Sequence, residues 1–166
     1  RETAARVAAG AIARKVLGNK VKIRGALIQI GNSKIDNTKW SWGEIEKNDF
    51  FCPDKTAVKC WENYIKDIRK KGSSVGAIIE INITGIKAGL GEPVFDKVDA
   101  LLSYGIMSIP AVKGVEIGAG FKSAELRGED NSDQISSKKN KVSFLSNNSG
   151  GTLGGITSGQ DIIIRF

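Results

Sequence analysis

The alternation of apolar residues between Val75 and Ile83 is the feature that most constrains the fold of this chain. Apolar side chains occupy every second position of the stretch: Val75, Ala77, Ile79, Ile81 and Ile83. Because successive side chains of an extended strand point to opposite faces, this pattern predicts a β-strand with one apolar face. The stretch before it has helical spacing, so the chain must combine both kinds of element.

Three helices are predicted. Residues 3–17 are rich in alanine and precede Gly18, a typical helix end, and their small side chains favour a buried central helix. A second helix runs to Lys71, with Asp54 or Thr56 as its cap. A third is expected to begin at Pro93, because proline suits the first helical position.

The remaining stretches predict strands and loops, which gives an α+β fold of packed layers. Strands are expected at residues 20–30, 112–120, 122–128, 141–145 and 161–166. Residues 31–55 predict an irregular excursion whose aromatic side chains pack back on the body. Residues 131–140 predict a polar, mobile loop.

The net charge of +7 is concentrated in residues 1–71, which hold 16 of the 25 Lys and Arg residues. Such a distribution suits a phosphate-bearing ligand or nucleic acid, although a solvated basic surface explains most of it. Cys52 and Cys60 lack metal-site spacing and predict free thiols, with no metal bound. No apolar run is long enough to span a membrane, so a soluble intracellular protein is expected.

The absence of histidine limits the chemistry of these 166 residues. Neither a Ser-His-Asp nor a Cys-His arrangement can form within them. Proton transfer within the chain would have to use Asp, Glu, Lys, Tyr or Cys.

Three segments are candidate ligand sites. Residues 147–155 are rich in glycine, and a tight turn and a cradle for an anion or a flat ring are equally consistent with them. Residues 85–93 combine glycines with a predicted helix start, which would accept an anion, and residues 108–118 offer Lys113 and Glu116 as polar contacts. Without a ligand, the first segment is an ordinary loop and the second an ordinary helix-to-strand connection. Arg1 and Arg6 lie on the first helix and are candidates for binding phosphate, although exposed helical arginines are common.

Four segments together resemble the chorismate synthase family. They are residues 1–13 (RETAARVAAGAIA), 89–96 (GLGEPVFD), 107–118 (MSIPAVKGVEIG) and 146–156 (SNNSGGTLGGI). They follow the family's order and extend over essentially the whole chain, so the chain is identified as a member of this family.

The resemblance implies a layered β-α-β sandwich and a lyase of the shikimate pathway. The family's reaction is a 1,4-elimination of phosphate from 5-enolpyruvylshikimate 3-phosphate that gives chorismate and requires reduced FMN. A cytoplasmic homotetramer is implied, with neither nucleic acid nor a membrane as partner. The resemblance also implies that residues 1–166 are the central part of a single domain, truncated at both ends.

The same resemblance assigns roles to four residues. Pro110 and Ala111 occupy positions that contact FMN, as does Gly154, and Arg1 corresponds to an arginine near the substrate phosphate. Pro110 departs from the family, because many relatives have Asn or another residue there. A backbone contact would survive that change, but a side-chain amide contact would not. The family's catalytic histidines precede the segment that matches Arg1, so no catalytic residue is assigned to this chain, and the chain alone is expected to be inactive. The alternatives are a non-catalytic flavin or nucleotide-binding module and a basic nucleic-acid-binding domain.

Overall fold

The computed structural model of the protein describes residues 1–138 and 141–166. The helices are α1 (Glu2–Leu17), α2 (Lys55–Lys70), α3 (Val98–Met107) and α4 (Gly128–Asn131). The strands are β1 (Lys22–Ile30), β2 (Ser33–Lys34), β3 (Ala77–Thr84), β4 (Glu116–Ile117), β5 (Ile135–Lys138), β6 (Lys141–Phe144), β7 (Thr152–Leu153), β8 (Ile156–Thr157) and β9 (Ile162–Arg165). The predicted α+β class is confirmed.

The strands form one larger sheet and two hairpins. The larger sheet has the order β2-β1-β3-β9-β4, and β5-β6 and β7-β8 are antiparallel pairs. The alternating stretch that begins at Val75 forms β3, as predicted. The chain divides into two compact units, the first made of residues 1–23 and 82–164 and the second of residues 24–81 and 165–166.

The core of the second unit is built around Trp61, which is fully buried. It clusters with Ile30, Cys52 and Ala57, and its indole N–H donates a hydrogen bond to the Ser33 hydroxyl at 3.0 Å. The ring of Phe50 meets it edge-on, with 6.0 Å between ring centroids. The predicted packing of the excursion's aromatics on the body is therefore confirmed for Phe50. Phe51, by contrast, is 60% exposed.

Asp54 joins this excursion to the start of α2. Its Oδ1 accepts hydrogen bonds from the backbone N–H and the hydroxyl of Thr56 at 2.8 and 2.6 Å, and its Oδ2 accepts from the Asp36 N–H at 3.0 Å. Burial opposes ionisation of this carboxyl, but the hydrogen bonds outweigh burial and lower the pKa of Asp54. Asp54, rather than Thr56, is thus the cap of α2.

Replacing Asp54 is expected to destabilise the second unit. Asp54→Ala removes the cap and leaves the Asp36 N–H without its acceptor, which should lower the free energy of unfolding by about 2–3 kcal/mol at neutral pH. Because the pKa is lowered on folding, the ionised carboxyl stabilises the fold above its ordinary pKa of 3.8. That stabilisation is lost as the pH falls through the lower, folded-state pKa.

Urea unfolding at neutral pH and near pH 3 measures both effects. Asp67→Ala is the matched control, since Asp67 is exposed on the same helix. Equal unfolding free energies for the two variants at neutral pH would contradict the role of Asp54.

Several predicted boundaries are wrong. The third helix begins at Val98 rather than Pro93, because the Glu92 N–H bonds to the Asp96 carbonyl and closes residues 92–96 into a turn. Residues 120–125 form a 3-10 helix where a strand was predicted, and the predicted strand at residues 112–120 is reduced to β4. The predicted polar loop contains β5, while its residues 139–140 lie outside the described residues.

The expected burial of the first helix is also wrong for the described chain. All sixteen residues of α1 are exposed, including Val7 at 68% and Val16 at 83%. Two arginine side chains of the helix donate hydrogen bonds to residues outside it. Arg14 donates to the Ile23 carbonyl at 2.9 Å, and Arg6 donates to the Ser108 hydroxyl. Small side chains allow another element to pack closely, but no element of the described residues buries this helix.

Candidate functional site

The glycine-rich segment ends in a tight hairpin turn. Strands β7 and β8 pair Leu153 with Ile156, so Gly154 and Gly155 are the two residues of the connection. Their φ angles are 60° and 83°, the left-handed values that a two-residue turn of this kind requires. Of the two interpretations of residues 147–155, the tight turn is therefore realised at its end.

The two turn glycines have different surroundings. A Cβ on Gly155 would lie 2.2 Å from the Cγ of Lys97, and the Gly155 carbonyl accepts a hydrogen bond from the Val98 N–H at 2.9 Å. Gly155 is thus packed against the start of α3, and its carbonyl takes up the Val98 N–H at the N-terminus of that helix. A Cβ on Gly154 would meet no atom within 4 Å. Gly154 therefore presents bare backbone to open space.

The first part of the segment is held by Asp133. Its Oδ1 accepts hydrogen bonds from the Ser146 hydroxyl at 2.6 Å and the Asn148 N–H at 2.7 Å, and its Oδ2 accepts from the Ser149 N–H at 2.8 Å. Burial opposes ionisation of Asp133, yet these bonds lower its pKa. Two backbone donors of the loop therefore already bind an anion, which is the chain's own carboxylate.

Close backbone packing fixes the middle of the loop. A Cβ on Gly118 would lie 2.1 Å from the Asn148 carbonyl oxygen and 2.5 Å from the Gly150 nitrogen. The Ala119 N–H donates to the same Asn148 oxygen at 2.7 Å. Gly118 and Gly150 both have left-handed φ angles, so neither site accepts a side chain.

The turn at residues 108–111 follows α3 and is fastened to α1. Arg6 donates from Nη1 to the Ser108 hydroxyl at 2.8 Å and from Nη2 to the Ser108 carbonyl at 3.0 Å. Pro110 and Ala111 are exposed beyond this anchor, and Ala111 has a φ of 69°. Arg6 thus positions the turn, a role that sequence reasoning missed when it considered Arg6 only for phosphate.

The predicted flavin contacts fall in two places within the first unit, the turn at residues 108–111 and the hairpin turn at Gly154. Arg1 is exposed at the start of α1, about 7.5 Å along the helix axis from Arg6. Arg6, and not Arg1, donates the hydrogen bonds to Ser108 in the turn that carries Pro110 and Ala111. Gly154 is next to the residue that bonds to Val98, at the opposite end of α3, and the ten residues of this helix span about 15 Å. A ligand that contacts both places has to be extended.

The second unit contains an apolar cavity that no sequence pattern predicted. Its volume is about 400 Å³, and it is lined by Gly25, Ala26, Leu27, Asp49, Phe50, Phe51 and Ile79. The charged group in this lining is a carboxylate. These lining residues include no lysine or arginine, so they offer no positively charged side chain to a phosphate-bearing ligand.

Within residues 1–138 and 141–166, no helix is both long enough and apolar enough to cross a membrane. The same residues contain no cluster of three or more His, Cys, Asp or Glu side chains placed to hold a metal ion. Cys52 is buried and Cys60 exposed, and both are free thiols, as predicted.

Comparison with known proteins matches the whole chain to one family. The sequence profile described as chorismate synthase matches residues 1–166. A chorismate synthase of Bradyrhizobium sp. (strain BTAi1) is 59% identical over 166 residues, covering all of this chain and 46% of that protein. One of Acidiphilium cryptum is 54% identical over 167 residues, covering all of this chain and 45% of that protein.

A solved structure supports the same family at the level of the fold. A crystal structure of chorismate synthase superposes with a TM-score of 0.90 at 33% identity, over 99% of this chain and 54% of that one. The predicted fold type is confirmed. The chain spans about half the length of the curated relatives it matches.

Proposed function

Because the chain belongs to the chorismate synthase family, we propose that it forms the central part of a lyase that makes chorismate from 5-enolpyruvylshikimate 3-phosphate. The reaction is a 1,4-elimination in which phosphate and a ring hydrogen leave. It is the last step of the shikimate pathway, which leads to the aromatic amino acids. The share of the chain in this reaction is to contact reduced FMN and the phosphate of the substrate.

The open backbone of Gly154 is the observation that carries the proposal. A flat flavin ring can lie against a peptide only where no side chain intervenes, and no atom lies within 4 Å of a Cβ built on Gly154. A Cβ added to Gly155 would instead point at the side chain of Lys97, so the hairpin turn exposes backbone without side chains on the Gly154 side. This bare side supports a flavin contact at Gly154.

Pro110 and Ala111 would form a second contact to the flavin. Both are exposed, and the Arg6–Ser108 hydrogen bonds hold the turn that carries them. Since proline has no N–H, the polar groups that the pair can offer are the carbonyls and the Ala111 N–H. The position would therefore act through backbone and small side chains.

Arg1 would attract the phosphate of the substrate. A guanidinium group can form paired hydrogen bonds to a phosphate. Arg1 is exposed at the start of α1, so its side chain is accessible to a ligand. Positive charge at this point would help to bind the phosphate of the substrate.

Reduced FMN, when bound, would supply electron density transiently as phosphate leaves, with no net redox change. The residues of this chain would hold the ring and the phosphate in place and keep water from the covered faces. No histidine is present in the chain, so we assign it no histidine proton transfer. We assign it no catalytic residue, because the family's catalytic histidines precede the segment that matches Arg1. By analogy with the family, the whole enzyme would be a cytoplasmic homotetramer.

Matched glycine substitutions test the proposal. Gly154→Ala and Gly72→Ala introduce the same methyl group at nearly the same φ angle, 60° and 63°, and at both positions no atom lies within 4 Å of the added Cβ. Both should cost about 1–2 kcal/mol of stability. Titration of reduced FMN should show about tenfold weaker binding for Gly154→Ala, equivalent to about 1.4 kcal/mol.

Gly72→Ala should leave flavin binding unchanged, because Gly72 ends α2 in the other unit. Equal flavin affinity for wild type and both variants would contradict a flavin contact at Gly154.

A further inference from the structure

We propose that Asp133 is a positioning residue of the flavin site, which holds the loop at residues 146–151 so that the hairpin turn at Gly154 keeps its bare side towards the ring. The inference rests on the proposed function of Gly154. It assigns to Asp133 no contact with flavin or substrate.

The geometry of the carboxylate supports this role. Both oxygens of Asp133 are used, and all of their partners lie in one stretch of four residues: Ser146, Asn148 and Ser149. The carboxylate thereby spans the start of the loop from a position 13–16 residues earlier in the chain. A group that binds two successive backbone N–H groups fixes the peptide plane between them.

Further hydrogen bonds connect the loop that Asp133 holds to the hairpin β7-β8. The Asn147 side chain accepts from the Gly151 N–H at 2.9 Å and donates to the Asp161 carbonyl at 2.8 Å. Gln160 donates to the Ser146 carbonyl at 2.7 Å. Gly151 directly precedes β7, so the loop and the strand that leads to Gly154 share one hydrogen-bonded frame.

Glycine makes this anchoring necessary. The segment contains four glycines with left-handed φ angles: Gly150, Gly151, Gly154 and Gly155. Such residues have many accessible backbone conformations and little intrinsic preference among them. The external carboxylate therefore selects one conformation that the glycines alone would not maintain.

Asp133→Asn is the direct test, because the asparagine side chain has nearly the same shape. One of its two terminal groups is a donor, so it cannot accept from both the Asn148 and the Ser149 N–H. Asp130→Asn is the matched control. It changes the net charge equally, its side chain is exposed, and the backbone carbonyl that accepts from Asn148 is kept.

Two measurements on the purified protein separate positioning from general stability. Reduced-FMN titration should show about tenfold weaker binding for Asp133→Asn and no change for Asp130→Asn. At saturating flavin, the visible circular dichroism of bound FMN should differ from wild type only for Asp133→Asn, because the ring meets a displaced turn. Ser146→Ala, which removes a single hydrogen bond to Asp133, should weaken binding about threefold and serves if Asp133→Asn does not fold.

The outcomes distinguish the two proposals. If wild type binds flavin and the variants at positions 133 and 146 bind it with unchanged affinity and dichroism, the positioning role is overturned and the proposed function stands. If wild type itself does not bind reduced FMN, the proposed function fails, and the positioning role fails with it.

Discussion

Gly118→Ala is expected to destabilise the first unit by at least about 4 kcal/mol, which is at the severe end of single substitutions. The new Cβ would lie 2.1 Å from the Asn148 oxygen, 2.5 Å from the Gly150 nitrogen and 2.7 Å from the Ser149 carbonyl carbon. All three are backbone atoms, so no side chain can turn away to make room. The φ of 60° adds further strain for alanine.

Thermal and urea unfolding of Gly118→Ala measure this effect, with Gly10→Ala as the control. Gly10 lies within α1 with no atom within 4 Å of its Cβ position, so alanine there should stabilise the protein by about 0.5–1 kcal/mol. A Gly118→Ala protein with wild-type stability would show that the loop at residues 146–151 does not pack on Gly118.

Trp61→Ala is expected to lower the stability of the second unit by about 3–5 kcal/mol. Trp61 has no exposed surface and is the largest fully buried side chain among the described residues. Its removal would leave a cavity between Ile30, Cys52 and Ala57, and it would leave the Ser33 hydroxyl without its indole donor. The surrounding strand and helix are too rigid to fill a void of that size.

Urea unfolding of a graded set tests this prediction. Trp61→Phe keeps most of the volume and should cost about 1–3 kcal/mol. Trp40→Ala is the control, because Trp40 is only partly buried and packs edge-on against Trp42 at 5.1 Å. A loss at Trp40 as large as that at Trp61 would contradict the assignment of the core.

Strong periodic patterns predicted the elements that carry most of the fold. The alternation from Val75 became β3, and the helix that Asp54 caps became α2, because local spacing alone determines which face of such elements is apolar. Residues 120–125 failed the strand prediction because Gly120 has a φ of 57° and the segment closes on itself in 3-10 turns. The alternation of apolar and polar residues over a few positions does not predict such a change of backbone direction.

The candidate site was only partly accessible from the sequence. Gly154 could be named by resemblance, but the same glycine pattern serves a turn and a cradle, and only the surroundings of each Cβ separate Gly154 from Gly155. Asp133 gave no signal, because its partners begin 13 residues later and a carboxylate in a polar stretch resembles any other. The Arg6–Ser108 hydrogen bonds join residues 102 positions apart, beyond any local pattern.

The most direct test of the central claim is an amide NMR titration of the protein with reduced FMN. Contact with the flavin in the first unit predicts the largest shifts at Ala111 and Gly154, with little change at Ala26 and Phe51 of the apolar cavity. Shifts confined to Ala26, Phe51 and their neighbours would instead place the flavin in the second unit and would contradict the account.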